Sequence, residues 1–178
     1  RQVEVSRSFS LILHHLMLPR VLTVTVSDTR TAADDASGKA LMEELFAFEH
    51  IEHVIVPDDP ARITALVRDA VAQNRADAIV LTGGTGIAPR DVSYEALAAL
   101  FDKQLDGFGE AFRRLSWDEI GPRAILSRAT AGTVGTCIVF LLPGSQKAVR
   151  LGARQLIAPI LEHAVDLLNG RTKHHAKG

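Results

Sequence analysis

Hydroxyls, carboxylates, an arginine and glycines stand directly after four short apolar runs of this chain. Ser27-Asp28-Thr29-Arg30 follows residues 21–26, Pro57-Asp58-Asp59 follows 54–56, Thr82-Gly83-Gly84-Thr85-Gly86 follows 78–81, and Pro143-Gly144-Ser145 follows 137–142. The glycine-rich word has the most definite chemistry. Glycine tolerates positive φ and lets the backbone approach a ligand closely, so successive N–H groups can form a concave anion site, to which the Thr82 and Thr85 hydroxyls add donors. It matches neither familiar nucleotide fingerprint. No Gly-Lys-Ser/Thr ending follows, and Gly84-Thr85-Gly86 runs into Ile87-Ala88-Pro89 where a dinucleotide motif needs a further Gly or Ala. A tight turn without ligand is the competing reading.

The carboxylates are open to two readings in the same way. Asp91, beside Arg90, is either functional or a helix cap near Ser93, and Asp58 and Asp59 either act or cap a helix starting near Pro60. Glu110 can complement a helix dipole, and Arg113 with Arg114 can form a solvated face. Cys137 reads as a small buried hydrophobe. No Ser-His-acid nucleophile emerges, because Ser145 lacks a Gly-x-Ser-x-Gly elbow and His50, His53 and His163 show no evident partner in sequence. A cysteine–histidine metal cluster is also missing from the pattern.

These groups need a scaffold that brings four loops together. The run 21–26 is β-branched, and 54–56 and 78–81 are equally short and apolar, so all three read as strands. The run 137–142 has no polar side chain for a solvent face and is expected to be a central strand covered on both sides. Between them lie helical patterns: Leu41, Leu45 and Phe48 after a cap at Ser37; Ile63, Leu66, Val67, Ala70 and Val71; 96–101; and Phe108, Phe112 and Leu115. A last helix from Val149 to Leu168 carries a broad apolar face, with Pro159 expected to kink or divide it. Strands alternating with helices predict an α/β fold, a three-layer α/β/α sandwich with a mainly parallel, Rossmann-like sheet. In such a sheet ligands bind beyond the carboxyl ends of the strands, where the four polar words stand.

Bulk properties exclude several classes. The 178 residues suit one domain, read as 20–170 between an extension 1–19 and a basic tail 171–178. The balance of 20 Lys+Arg against 21 Asp+Glu argues against a nucleic-acid partner, which normally requires a basic excess. A lone cysteine cannot make an intrachain disulfide, which favours a reducing compartment. The apolar run 9–18 is shorter than the roughly 20 residues of a membrane-spanning helix and contains His14 and His15, so no membrane association is expected.

Taken in order, seven words resemble the molybdenum cofactor biosynthesis protein B family, the MoaB/Mog-like molybdopterin-binding domain also found in gephyrin. They are Val24-Thr25-Val26-Ser27-Asp28-Thr29-Arg30, Asp35-Ala36-Ser37-Gly38, Leu81-Thr82-Gly83-Gly84-Thr85-Gly86, Arg90-Asp91-Val92-Ser93, Gly107-Phe108-Gly109-Glu110, Ile125-Leu126-Ser127-Arg128 and Leu142-Pro143-Gly144-Ser145. The match covers about residues 20–168.

The resemblance implies a cytoplasmic homotrimer, or a hexamer of trimers, that works beside other molybdenum cofactor assembly proteins. It implies molybdopterin as substrate, ATP as co-substrate and Mg²⁺, with adenylylation of the pterin before molybdate insertion. On that reading the cradle for phosphate is Thr82, Gly83, Gly84, Thr85 and Gly86 with Pro143, Gly144 and Ser145, assisted by Ser27 and Arg30. Asp91 and then Asp58 are the expected catalytic and Mg²⁺-binding carboxylates, since Mg²⁺ takes one or two carboxylates plus phosphates. The resemblance also places Glu110, Arg113, Ser127 and Arg128 around the pterin and nucleotide pockets. The Ser145-Gln146-Lys147 turn is closer to the B branch than to the dedicated adenylyltransferases, which keeps a pterin-binding carrier as the alternative.

Overall fold

The computed structural model of the chain describes residues 18–171; of the expected extension 1–19 and tail 171–178, all but residues 18, 19 and 171 lie outside the described residues. Four apolar runs form parallel strands: β1 (Arg20–Val26), β2 (Glu49–Val56), β3 (Ala78–Thr82) and, after two more strands' worth of chain, β6 (Cys137–Leu142). The sheet order is β2-β1-β3-β6-β5-β4. β4 (Lys103–Gln104) and β5 (Thr130–Val134) complete it antiparallel to their neighbours. A two-residue turn, with Gly135 at positive φ, joins β5 to β6.

The interior strands β1, β3 and β6 are buried on both faces, which is why their runs carry few polar residues, whereas the edge strand β2 is exposed from Glu49 to Glu52. On one face Val21, Ala78, Val80, Ile138, Phe140 and Leu142 pack under α1 (Ala36–Glu44), α4 (Asp106–Ile120), α5 (Gln146–Gly152) and α6 (Leu161–Leu168). On the other, Leu22, Val24, Ile79, Leu81, Val139 and Leu141 meet α2 (Pro60–Ala72) and α3 (Ser93–Ala98). The three-layer α/β sandwich is therefore observed, with β6 interior as expected. Among the described residues no helix is long and apolar enough to cross a membrane.

Several helix ends differ from the sequence expectation. Asp35, not Ser37, caps α1, its side chain accepting from the Gly38 N–H. Asp59 caps α2 through Ala61 and Arg62, which leaves Asp58 outside the cap. α3 has no side-chain cap, so neither Asp91 nor Ser93 serves there. Before Pro159 the chain widens into a π-helical turn, Ala153–Ile157, in which Ala158 N–H reaches back to Ala153. Proline has no N–H to continue the α-helical ladder, and the extra residue absorbs the interruption.

Chain direction sets the position of a ligand site. From β1 the chain moves to β2 on one side and then to β3 on the other, so the connections diverge between β1 and β3. Loops leaving two such strands part from each other and open a crevice at their carboxyl ends.

Candidate functional site

A cleft of about 250 Å³ lies at that divergence. It brings together eight of the expected residues: Ser27 and Arg30 from the β1 loop, Asp58 after β2, Thr82, Gly83, Gly84 and Asp91 after β3, and Gly144 after β6. It also uses Thr25, Asp28, Thr29, Ser37 and Arg90, of which only Asp28 and Thr29 stand in a strand-end word that marked them.

The loops are tied to one another by their own polar groups. The Ser27 hydroxyl accepts from the Thr29 and Arg30 N–H groups at 3.3 Å each, curling the first loop inward. The Asp58 N–H donates to Asp28 Oδ1 at 3.0 Å, which joins the first and second loops. On the third, the Gly83 N–H donates to Leu142 O at 3.0 Å and the buried Thr82 hydroxyl donates to Pro143 O at 2.9 Å. Thr82, Gly83 and Pro143 thus lock the β3 loop to the β6 loop, and the Thr82 hydroxyl proton is not free for a phosphate. The N–H groups of Gly84, Thr85 and Gly86 make no hydrogen bond among the described residues.

The two glycines at the turn differ in their reason for being glycine. Gly83 has φ +110, and a β-carbon there would run into the Val26 carbonyl oxygen, part of a buried strand. Gly84 has φ +63, and its Cα faces the Ser93 hydroxyl and Asp58, whose Oδ1 would lie 3.1 Å from a β-carbon. The Ser93 hydroxyl is fully buried and has no hydrogen-bond partner among the described residues. Gly83→Ala is expected to cost about 2 to 3 kcal/mol from backbone strain and collision with a main chain that cannot yield. A urea unfolding curve checks this, and an unchanged midpoint would contradict it.

Charge at the cleft is mixed and mostly negative. Burial first, then the Asp28 and Asp91 charges, push the Asp58 carboxyl above the ordinary carboxylate range, against the pull of Arg90. Asp91 Oδ2 accepts from the Ala88 N–H at 2.9 Å and lies close to Gly86, so this carboxylate shapes its own loop as well as facing the cleft. Among the described residues no three metal-ligating side chains converge closely enough to hold an ion alone. A cation here would need ligand phosphates to complete its shell. That donor set suits Mg²⁺, which binds through one or two carboxylates plus substrate phosphates and water.

The remaining expected residues lie outside the cleft. Arg128 is a strut: Nε donates to Gly86 O at 2.9 Å and Nη2 to Asp91 O at 2.8 Å, Nη1 pairs with Glu95, and its guanidinium sits 5.2 Å from the Tyr94 ring centroid. Its donors are engaged by the loop that carries Thr85, Gly86 and Asp91, and it supports that loop from behind. Ser127 caps the Ala129 N–H, and its carbonyl accepts from Arg113. Arg113 belongs to a separate depression with Arg114, Trp117, Asp118 and Ile125. Glu110 is exposed on α4 and lines neither. Ser145 is the N-cap of α5, accepting from the Ala148 N–H at 3.3 Å.

A further network was invisible in the sequence. His50 and His53 lie on β2, and His53, for which the sequence showed no partner, has one: Nε2 is 2.9 Å from Asp35 Oδ2. Burial opposes ionisation of Asp35, but hydrogen bonds from neighbouring hydroxyls, the Gly38 N–H and His53 outweigh it and hold its carboxyl well below the ordinary range.

Comparison with known proteins agrees with this arrangement. Residues 22–163 match a family described as the probable molybdopterin binding domain. Molybdenum cofactor biosynthesis protein B of Bacillus subtilis strain 168 is 48% identical over 149 residues, covering 82% of this chain and 88% of that protein. The protein of the same name from Staphylococcus carnosus strain TM300 is 47% identical over 147 residues, covering 80% and 86%. A crystal structure of a molybdenum cofactor biosynthesis protein B superposes with a TM-score of 0.80 at 44% identity, over 86% of this chain and 97% of the other. With the cleft at the β1/β3 divergence and these matches spanning most of its length, the chain belongs to the molybdenum cofactor biosynthesis protein B (MoaB/Mog-like) family, with the family's probable molybdopterin binding domain at residues 22–163.

Proposed function

We propose that this protein acts in molybdenum cofactor biosynthesis by binding molybdopterin and adenylylating it with Mg-ATP. The observation that carries the reading is the cleft in which three carboxylates, Asp28, Asp58 and Asp91, face a glycine turn whose Gly84 N–H makes no hydrogen bond among the described residues. Carboxylates alone would repel a phosphate ligand. The unfavourable ionisation of Asp58 is the charge balance a bound divalent cation would relieve.

In the reaction, an oxygen of the pterin's terminal phosphate forms a bond to the α-phosphorus of ATP, the bond from that phosphorus to the bridging oxygen breaks, and pyrophosphate leaves. Bound Mg²⁺ supplies charge neutralisation between phosphates. Asp58 and Asp91 would hold it, the Gly84 N–H would donate to a phosphate oxygen, with the Thr85 and Gly86 N–H groups next along the same loop, and Arg90 would add positive charge at the rim. Holding two anions in one place is the larger part of catalysis for such a transfer.

A cytoplasmic setting fits the lone, buried Cys137, whose thiol burial and Asp77 push up to about 12, far from disulfide reactivity. Assembly as a trimer or hexamer is supported by Trp117, Ile120, Ile125 and Leu126, exposed together around the end of α4. The second reading, a carrier that hands molybdopterin to another assembly protein, is favoured by one feature. Arg30 and Arg128 have guanidinium donors committed to the protein, leaving few cations to balance ATP.

Titration calorimetry distinguishes these readings. The adenylylation reading expects ATP to bind with Mg²⁺ at least about tenfold tighter than without it, while molybdopterin binds in either case. ATP affinity indifferent to Mg²⁺, beside tight pterin binding, supports the carrier.

A further inference from the structure

Of the word Asp35-Ala36-Ser37-Gly38 only Ser37 lines the cleft, yet beside it Asp35 carries a carboxylate that is 2% exposed and has four partners. Oδ1 accepts from the Gly38 N–H at 2.8 Å, the Ser37 hydroxyl at 3.1 Å and Arg30 Nη1 at 3.2 Å. Oδ2 accepts from His53 at 2.9 Å. An ionised carboxylate only accepts, so His53 Nε2 carries a proton. Its Nδ1 lies 2.8 Å from the Thr23 hydroxyl, which also lies 3.0 Å from His50 Nε2 and within 3.4 Å of the Glu52 carbonyl oxygen.

Both neighbours of the pair are fitted to it. Thr23 and His53 are opposite one another in the parallel β1/β2 register, which places the imidazole beneath α1. A β-carbon at Gly38 would overlap both the Asp35 carboxylate and the His53 ring, so glycine leaves the space the pair occupies. Arg30 links this buried group to the cleft. Its Nη1 faces Asp35 and Ser37, while Nη2 donates to Gly144 O at 3.1 Å.

We propose that Asp35 is a positioning residue: backed by His53, its carboxylate fixes the Arg30 guanidinium so that Arg30 ties the Gly144 loop to the first loop and holds the cleft in shape for a phosphate ligand. Neutralised by Asp35, Arg30 acts here through geometry more than through charge. The fork of a guanidinium is needed because two nitrogens face two different elements. The consequence for turnover rests on the adenylylation reading; the consequence for loop order does not.

Asp35→Asn separates the two roles of the carboxylate. Asparagine is as good an N-cap as aspartate, so α1 keeps its start while Arg30 loses its ionic anchor. In the full chain, the side-chain NMR signals of Arg30 are expected to be resolved in the wild type and averaged in Asp35→Asn. Amide hydrogen exchange around Gly144 and Ser145 should quicken about tenfold or more. kcat for adenylylation should fall about 10- to 100-fold with KM for ATP changed less than threefold, as loop misplacement of about 1 Å produces. Arg30→Lys keeps the charge without the fork and should reproduce the exchange and kcat effects; it carries the test if Asp35→Asn does not fold. Unchanged exchange at Gly144 in the folded variants overturns the proposal. A wild-type protein that forms no adenylylated pterin overturns the reaction and leaves the NMR and exchange result to decide the positioning role.

Discussion

Asp91→Asn is expected to lower adenylylation of molybdopterin about 100-fold or more while the protein stays folded and keeps most of its pterin affinity. The specificity of the effect follows from the loop geometry. Asp91 Oδ2 receives the Ala88 N–H at 2.9 Å, and the amide oxygen of asparagine can receive the same proton, so the turn from Gly86 to Asp91 keeps its shape. Arg128 also holds this segment through the Asp91 carbonyl, which substitution of the side chain does not touch. What disappears is one negative charge facing the cleft. Losing one charge aimed at a phosphoryl transfer site costs on the order of 100-fold, about 2.7 kcal/mol of transition-state stabilisation. Stability should change by no more than about 0.5 kcal/mol. Steady-state kinetics beside a thermal melt checks both halves. Turnover equal to wild type would remove Asp91 from the reaction and leave only its role in the loop.

Asp58→Asn is expected to impair turnover to a similar degree, about 10- to 100-fold, yet to make the metal-free protein more stable at neutral pH. The sign follows from the raised pKa. Asp58 is harder to ionise in the folded protein than in the unfolded chain, because of burial and then the Asp28 and Asp91 charges. Its contribution is therefore absent below the unfolded value of about 3.9, becomes unfavourable as pH rises through the folded value, and is fully unfavourable above it. Asparagine removes that cost. The stability difference between Asp58→Asn and wild type should thus shrink to nothing as pH falls below about 4. Mg²⁺ should raise the melting temperature of the wild type more than that of the variant. A variant less stable than wild type at pH 7 would show that Asp58 is a structural acceptor, not a strained carboxylate.

Asp35 shows the opposite dependence and gives the protein an acid limit. Its carboxyl is held below the ordinary range, so the stability it contributes is complete above the unfolded value and is lost as pH falls through the folded one.

The apolar runs made β1, β3 and β6 legible, because a strand covered on both faces has no room for polar side chains; of β2 only 54–56 was legible, since its exposed first half carries Glu49, His50 and Glu52. β5, Thr130-Ala131-Gly132-Thr133-Val134, escaped notice because threonines and a glycine break its apolar character. Gly132 is there for a reason invisible along the chain: the Phe101 ring lies against its Cα. The convergence of the four polar words also followed from the fold class alone. The division of labour among them did not. Thr82 and Arg128 look like ligand-binding residues by type, but their partners are backbone carbonyls, which every residue carries and no motif marks. Asp35 and His53 are 18 positions apart and meet only because the start of α1, which Asp35 caps, packs against His53 on β2.

The proposed reaction joins molybdopterin to the AMP part of ATP in the cleft at the β1/β3 divergence. Its most direct test is a single-turnover reaction of the purified full chain with molybdopterin, ATP and Mg²⁺, read by mass spectrometry of the released pterin. The predicted result is adenylylated molybdopterin and pyrophosphate in equal amounts, dependent on Mg²⁺ and lost in Asp91→Asn. Molybdopterin bound tightly and recovered unmodified, with no pyrophosphate formed, would contradict the account.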